Sequence, residues 1–322
     1  MPDVFVTGGS GFVGGAVLRG LVAEGRHVRA LVRSEEAERV VAAAGAEAVR
    51  GDLLEPGDWA ESLRGCSTVF HTAGEVAMCD PKRLEVNVAG TRTVIAAAGR
   101  AGVGRIVHTS SAATIGEARG AIGREDTEHR GHHQSAYARS KYEAERVAFA
   151  DAAALGIELV AVNPSSVQGP GRTHGTARLF IGFLNGKLRW AVPTRLPLVF
   201  VEDTVAAHLL AERVGVPGER YLVNGWSPTI EEAVELLRRV AGVDHRLRYL
   251  PGWMLTAAAT VTEVLWRVVG TEPPLCRAMA REVKHGHVFD GSKAERDLGL
   301  RYTPPEEWLT RTVEWYRQQG LV

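Results

Sequence analysis

The chain has 322 residues, of which 45% are hydrophobic and 24% are charged. This composition is typical of a globular protein with one large α/β domain and a smaller lobe, or with two domains. With 38 basic and 38 acidic residues the formal net charge is zero, so no overall field attracts nucleic acid or an anionic membrane.

The three cysteines, Cys66, Cys79 and Cys276, are widely spaced and odd in number. Their spacing predicts neither a disulfide framework nor a zinc site, and free thiols suit a reducing cytoplasm. The first apolar run is short and stops at the glycines from Gly8 onward, so we expect a cytoplasmic protein without a signal peptide.

The first half of the chain alternates short β-branched runs with longer helical patterns, which predicts parallel βαβ units. The expected strands are residues 4–7, 27–32, 46–50, 68–71, 105–109 and 158–162. The expected helices include residues 12–23, 83–101 and 135–155. Right-handed crossovers would wind these elements into a doubly wound parallel (Rossmann) sheet.

After Pro164 the pattern becomes less regular, and residues 169–195 are rich in Gly, Pro and Arg, as in loops around a ligand. Residues 198–201 and 221–224 are expected to be strands that return to the main sheet. We therefore predict a dinucleotide-binding domain of residues 1–168, to which 198–225 return. The smaller substrate-binding lobe, interleaved with it, would consist of residues 169–197 and 226–322, with helices at 229–241 and 253–269.

The segment 253–269 is rich in Ala, Leu, Val and Trp. Glu263 and Arg267 interrupt it, and it is short for a bilayer crossing. A buried or lid helix is favoured over membrane contact, so we expect no stable membrane insertion.

Residues 4–14 are a strand, a glycine-rich turn and the start of a helix. Gly8 can take the tight turn, Gly11 lets the backbone approach a pyrophosphate, and Gly14 allows the helix to pack closely on the strand. Phe12 and Val13 open the helix, whose free N–H groups and dipole favour phosphate. A tight turn without a ligand is the alternative, but the βαβ context favours a dinucleotide site.

The second strand ends without the acidic residue that binds the adenosine ribose of NAD. Arg33 stands there instead, and Arg39 could help from the next helix, which favours NADP(H) and leaves NAD(H) possible. Both arginines could also be solvated surface residues. Asp52, after the third strand, could accept a hydrogen bond from adenine or cap a helix.

Tyr137 and Lys141 are four residues apart in a predicted helix, so both side chains can reach one ligand. A nearby ammonium would lower the tyrosine pKa and suit it to proton transfer. Upstream, the strand at 105–109 runs into Ser110 and Ser111 at the sheet edge where ligands bind. A hydroxyl there could hold a substrate oxygen beside Tyr137, or cap a turn.

This ordered set of motifs resembles the extended short-chain dehydrogenase/reductases, which belong to the NAD-dependent epimerase/dehydratase superfamily. The matching residues are the glycines at 8, 11 and 14, Asp52, Ser111, Tyr137 and Lys141. Asn87 matches the helix asparagine that supports the site in the family. Residues 163–170 resemble the segment that meets the nicotinamide, and 201–206 resemble a later family segment. Together these matches cover nearly the whole chain.

The resemblance implies that Ser111 polarises a substrate oxygen and that Tyr137 exchanges a proton with it. Lys141 would bind the nicotinamide ribose and keep the tyrosine pKa low, with Ser110 as the second choice for the serine role. The other cofactor contacts implied are Leu53, Ala73, Pro164 and Ser166.

Residues 28–33 and 163–166 look most like the dihydroflavonol reductase and 3β-hydroxysteroid dehydrogenase branch. That branch implies an NADPH-dependent ketoreductase acting on a hydrophobic small molecule. The alternative is a nucleotide-sugar 4-epimerase with retained NAD, in which Asn163, Arg172, Arg178 or Arg189 would bind a substrate pyrophosphate. A non-catalytic NADP-sensing regulator is a third possibility, against which the intact Tyr-x-x-x-Lys pair argues.

His129, His132 and His133 lie in a polar stretch before Tyr137. Their spacing matches no familiar catalytic metal motif, so a solvated loop is favoured and no metal is expected. Family members often pair through the tyrosine-bearing helix, and we therefore expect a homodimer.

Overall fold

The computed structural model describes residues 3–55, 57–269 and 273–322. Its strands, in chain order, are β1 (Asp3–Thr7), β2 (Val28–Val32), β3 (Glu47–Arg50), β4 (Cys66–His71), β5 (Arg105–Thr109), β6 (Glu158–Pro164), β7 (Ser166–Gln168), β8 (Trp190–Ala191), β9 (Leu198–Phe200), β10 (Arg220–Val223) and β11 (Arg248–Tyr249). The α-helices are α1 (Phe12–Ala23), α2 (Glu35–Ala43), α3 (Glu85–Ala101), α4 (Ala136–Ala154), α5 (Ala177–Leu184), α6 (Val201–Val214), α7 (Ile230–Ala241), α8 (Gly252–Val269), α9 (Arg277–His285), α10 (Ser292–Leu298) and α11 (Pro305–Gln318).

A seven-stranded parallel sheet forms the centre of the molecule, in the order β10-β6-β5-β4-β1-β2-β3. From β1 the chain adds β2 and β3 toward one edge of the sheet. It then returns to the other side of β1, where β4 and β5 extend the sheet toward the opposite edge. This reversal opens a crevice beyond the carboxyl ends of β1 and β4, which is where doubly wound sheets bind their ligands. The predicted fold class is confirmed.

Side-chain alternation along the strands divides the core into two layers. In β1, Val4 and Val6 are buried in the cluster that also contains Val17 and Leu18 of α1. Phe5 points to the opposite face and joins the cluster under α3. Because successive residues of a strand face opposite ways, a strand with helices on both faces is apolar on both sides, as residues 4–6 of β1 are.

The expectation that residues 198–201 return to the main sheet was wrong. The strand β9 pairs with β7 in a separate two-stranded sheet, whereas β10 does join the main sheet beside β6. Leu198 and Phe200 are completely buried, so their apolar run predicts burial but does not indicate which sheet accepts the strand. The division into residues 1–168 and an interleaved lobe stays a prediction.

The cysteines also differ from the expectation, because Cys79 and Cys276 form a disulfide with a Cα–Cα distance of 5.9 Å. They are 197 positions apart, and the fold brings the loop after β4 against the start of α9. Sequence spacing carries no signal for such a long-range pair. Cys66 is the free, buried cysteine. The cytoplasmic expectation, which rested partly on free thiols, loses that support.

Helix α8 has two different faces. Met254, Leu255 and Ala258 line the central cavity, whereas Trp253 and Val261 are exposed. Within residues 3–55, 57–269 and 273–322 no helix has the length and apolarity needed to span a bilayer.

Candidate active site

The glycine-rich turn between β1 and α1 forms a cradle that side chains would fill. Gly8 has a φ of 75°, and a Cβ on Gly14 would lie 2.2 Å from the Gly8 carbonyl oxygen and from Thr72 Oγ1. A Cβ on Gly11 would meet only the Gly8 oxygen, at 3.3 Å. Because all three glycines, Phe12 and Val13 line one cavity, the N–H groups that begin α1 can bind a pyrophosphate. The turn therefore fits a dinucleotide.

The adenosine end of this cleft contains Arg33 but not Arg39. Arg33 lines the cavity, is largely exposed and lies 3.9 Å from an Asp52 carboxylate oxygen. Arg39 points away and pairs with Glu35 at 3.6 Å, so the structure does not bring it to the site. Asp52 lines the cavity and accepts a hydrogen bond from the Leu54 N–H at 2.9 Å. It thus caps a turn instead of a helix, and its second carboxylate oxygen is the one near Arg33.

The end of β5 and the first turns of α4 bring Ser111, Tyr137 and Lys141 to one place on the cavity wall. Helix α4 starts there because the Ser135 hydroxyl accepts a hydrogen bond from the Ala138 N–H at 3.1 Å. The Lys141 ammonium is buried and donates to the Thr109 carbonyl at 2.8 Å.

Burial perturbs both titratable groups of this trio. Burial raises the pKa of Tyr137, while its hydrogen bond to the Ser111 side chain and the charge of Arg172 lower it in part. Burial lowers the pKa of Lys141 to about 8, partly opposed by the charge of Glu145. The expected lowering of the Tyr137 pKa below its usual value by Lys141 is therefore wrong for this geometry, in which the ammonium donates to Thr109.

Ser111 is favoured over Ser110 for the serine role, because it is the Ser111 side chain that lowers the pKa of Tyr137 in part. Ser110 also lines the cavity, and its hydroxyl is buried without a hydrogen-bond partner among the described residues. Five further residues from the sequence analysis line the cavity, namely Leu53, Ala73, Pro164, Ser166 and Arg172.

Asn87 supports the site from behind and does not line it. It is buried, accepts a hydrogen bond from the Glu75 N–H at 2.7 Å and donates to the Ser140 hydroxyl at 3.0 Å. It thereby joins the segment after β4 to the helix that carries Tyr137 and Lys141. This position agrees with the supporting role implied for the family asparagine.

Asn163 was expected to contact substrate, and that expectation is wrong. Its side chain is completely buried and donates to Thr114 Oγ1 at 3.0 Å and to Glu145 at 2.5 Å. Among the arginines named with it, Arg178 lines the cavity and Arg189 does not. Asn163 therefore stabilises the turn after β5.

The histidines before Tyr137 form a separate aromatic group. The rings of His129 and His133 lie 4.8 Å apart, and each packs on Tyr142. His129 borders a different crevice from the main cavity. His132 takes no part in this ring cluster.

Among the polar cavity residues that sequence reasoning missed are Glu282 in α9 and His287 just after it. Glu282 accepts a hydrogen bond from the Ser135 hydroxyl at 2.7 Å, and its other oxygen lies 2.8 Å from His287 Nε2. Burial alone would lower the pKa of His287, but hydrogen bonds to Glu117 and Glu282 raise it to about 9. Only tertiary packing brings this segment under α4, and the His-x-His spacing at 285–287 is the one local signal.

The cavity has a volume of about 1600 Å³ and extends from the glycine turn into the C-terminal lobe. On the lobe side its wall is mainly apolar, with polar groups near Tyr137. The apolar residues there include Leu179, Leu188, Val192, Leu196, Ile230, Leu250, Met254, Leu255, Leu275 and Met279. A cleft with one polar end and a long apolar wall suits a hydrophobic small molecule that carries one reactive polar group.

Comparison with known proteins agrees with this arrangement. The NAD dependent epimerase/dehydratase family profile matches residues 4–223. A putative dihydroflavonol 4-reductase of Synechocystis sp. is 32% identical over 99% of this chain and 95% of its own. A 2-alkyl-3-oxoalkanoate reductase of Stenotrophomonas maltophilia is 32% identical over 96% and 97% of the two chains.

Among solved structures, the crystal structure of gox2253 is 31% identical, covers 99% of both chains and superposes with a TM-score of 0.85. The glycine cradle, the Ser-Tyr-Lys trio and these matches over nearly the full length point to one conclusion. The chain belongs to the NAD-dependent epimerase/dehydratase family and is an oxidoreductase of the extended short-chain dehydrogenase/reductase type.

Proposed function

We propose that the protein is an NADPH-dependent ketoreductase that converts a hydrophobic ketone into a secondary alcohol. The observation that carries the proposal is the position of Ser111, Tyr137 and Lys141 at the polar end of a cavity whose far wall is apolar. When bound, the nicotinamide supplies the hydride for such a reduction.

The residues of the chain supply the proton and the orientation. Because burial raises the pKa of Tyr137, the phenol keeps its proton near neutral pH and is suited to donate it to the substrate oxygen. The Ser111 hydroxyl, which lines the cavity with Tyr137, can donate to the same oxygen and polarise the carbonyl. The buried Lys141 ammonium lies close to Gly74 on the cofactor side, where it can donate to a ribose hydroxyl.

The names of the relatives support a ketone carrying an alkyl chain. A 2-alkyl-3-oxoalkanoate has two alkyl groups, a ketone and a carboxylate, and the cavity offers a matching set of surfaces. Its apolar wall would bury the alkyl chains. The guanidinium of Arg172, whose Nε is buried without a partner among the described residues, would pair with the carboxylate.

The test follows NADPH consumption with a 2-alkyl-3-oxoalkanoate as the substrate. We expect turnover by the native protein and a loss of at least about 100-fold in Tyr137→Phe, because general acid catalysis contributes about 10²- to 10⁴-fold. The cofactor affinity of that variant should be nearly unchanged. Full turnover in Tyr137→Phe would refute the role of the tyrosine, and turnover by neither protein would refute this substrate class.

The preference for NADPH rests on Arg33 at the adenosine end of the cleft. The Arg33→Ala variant should bind NADPH about tenfold or more weakly, since a charge-assisted hydrogen bond contributes about 1.5–3 kcal/mol. NADH binding should change little. Arg39→Ala is the matched control, because Arg39 pairs with Glu35 outside the cleft. Equal losses for NADPH and NADH in Arg33→Ala would contradict the proposed preference.

The second candidate function is a nucleotide-sugar 4-epimerase with retained NAD. Arg172 and Arg178 line the cavity, and together they could bind a substrate pyrophosphate. An epimerase regenerates its cofactor within each turnover and is expected to hold NAD through purification. Native mass spectrometry distinguishes the two: one retained NAD per chain favours the epimerase, whereas an empty protein that binds NADPH reversibly favours the reductase.

A further inference from the structure

A cluster of metal-binding side chains lies directly behind the wall of the cavity. Glu117 follows the turn after β5 and is 1% exposed, while His285 ends α9 and is also buried. His287 comes two residues later, after Gly286, which takes a φ of 69°. This turn brings the two imidazoles to a centroid distance of 4.4 Å. One ligand atom from each residue lies within 4.8 Å of the others.

Two buried polar atoms of this cluster lack hydrogen-bond partners among the described residues. In the described part of the chain, Glu117 Oε2 and His285 Nε2 are buried and have no hydrogen-bond partner. His285 Nε2 lies 3.3 Å from the other Glu117 oxygen. The neighbouring cation, Arg130, donates to the main-chain oxygen of Glu117 at 2.9 Å and not to its carboxylate. A buried carboxylate oxygen without a donor is costly, and a bound cation would remove that cost.

Both histidines are oriented through their second ring nitrogen. His287 turns Nδ1 toward Glu117, and its Nε2 lies 2.8 Å from a Glu282 oxygen. The side-chain nitrogen of Gln134 lies 3.1 Å from His285 Nδ1. With this amide turned over, its oxygen would accept from the Nδ1 N–H and leave the Nε2 lone pair facing the cluster. Histidines that bind metals are usually held in this way by a carboxylate or carbonyl on the other nitrogen.

We propose that Glu117, His285 and His287 bind one divalent transition-metal ion of the zinc class. Two imidazole nitrogens and one carboxylate oxygen are a known zinc donor set that leaves a further position for water. The same set disfavours magnesium and calcium, which prefer oxygen ligands. This inference does not depend on the proposed ketoreductase activity, because metal binding is measured without turnover.

The ion would act by positioning and would not touch the substrate. His287 and Glu282 line the cavity, and Glu282 accepts the hydrogen bond of Ser135 at the N-terminus of α4. That helix carries Tyr137 on its first turn. A metal on His287 would therefore fix the lobe wall against the helix that holds the proposed proton donor. The alternative is a metal-free cluster in which a protonated His287 bridges Glu117 and Glu282.

The experiment titrates chelator-treated, dialysed protein with Co²⁺, followed by visible absorption, and with Zn²⁺, followed by calorimetry. We expect one Zn²⁺ per chain and a Co²⁺ spectrum that Zn²⁺ abolishes. Glu282→Gln should weaken binding by about 10- to 100-fold, as for other residues that support a ligand. Glu117→Gln and His285→Gln each lose a ligand and should weaken it at least as much, by about 100-fold or more.

His133→Gln is the matched control, because His133 belongs to the aromatic group with His129 and Tyr142 and should keep full Zn²⁺ affinity. Absence of Co²⁺ absorption and Zn²⁺ heat in the native protein would overturn the proposal in favour of the bridged imidazolium. Equal Zn²⁺ affinity in the native protein and in folded Glu117→Gln would also overturn it. If His285→Gln does not fold, the native Co²⁺ spectrum and the isosteric Glu117→Gln variant still decide.

Discussion

Replacing the buried Lys141 with methionine should stabilise the protein near neutral pH while removing activity. Burial lowers the pKa of this lysine from 10.5 to about 8. At about 1.4 kcal/mol per pKa unit, holding the charge inside costs the folded state about 3 kcal/mol. Methionine has a similar length but also forfeits the hydrogen bond to the Thr109 carbonyl, worth about 1–2 kcal/mol. We therefore expect a net gain of about 1–2 kcal/mol in the free energy of unfolding.

The sign of the effect with pH provides the sharper test. Below the folded-state pKa of about 8, Lys141 is charged in both states and the native protein carries the whole cost. Between that value and the unfolded pKa, the unfolded chain binds more protons, so the stability of the native protein rises with pH. The methionine variant lacks this rise. Its advantage should therefore shrink by about 2 kcal/mol between about pH 7 and about pH 9.5.

The assay is urea unfolding of both proteins at the two pH values, with Lys187→Met as the matched control. Lys187 is exposed in the turn after α5, so its replacement should change stability little and equally at both pH values. Titrations elsewhere in the protein cancel in the difference between native and variant. This account of the buried charge is refuted if Lys141→Met is less stable than the native protein near neutral pH. It is also refuted if the stability advantage of the variant does not change with pH.

Two other predictions concern the turn and the disulfide. Gly14→Ala should lose about 1–3 kcal/mol of stability through overpacking, because its Cβ would lie 2.2 Å from the Gly8 oxygen. Gly11→Ala should fold normally and lose mainly NADPH affinity, since its Cβ would meet only that oxygen, at 3.3 Å. Equal unfolding midpoints for the Gly14→Ala and Gly11→Ala variants would contradict this difference. Cys276→Ser should lower the free energy of unfolding by about 2–4 kcal/mol, because it removes the crosslink to Cys79. A reductant should destabilise the native protein by the same amount and leave the variant unaffected. Native stability that does not respond to the reductant would argue against the disulfide.

Local patterns predicted the dinucleotide half of the fold well, because its signals lie within single βαβ units. The helix expected at residues 12–23 is observed as Phe12–Ala23, and the strand expected at 105–109 as Arg105–Thr109. The same logic fails for β9, whose three buried residues could fill a place in either sheet. It also fails for Asn163, since a motif match gives the position in the chain but not the direction in which the side chain points.

The part of the site that sequence reasoning missed shares one physical property. Glu117 lies far along the chain from the segment that carries Glu282 and His287, and they meet only because α9 packs beneath the N-terminus of α4. None of them belongs to a motif with fixed spacing, whereas Tyr137 and Lys141 are one helical turn apart and need no tertiary contact to be paired. The proton donor could thus be found from local geometry. The wall that orients it is built by tertiary packing, and variation in that wall can change the substrate while the catalytic motif stays the same.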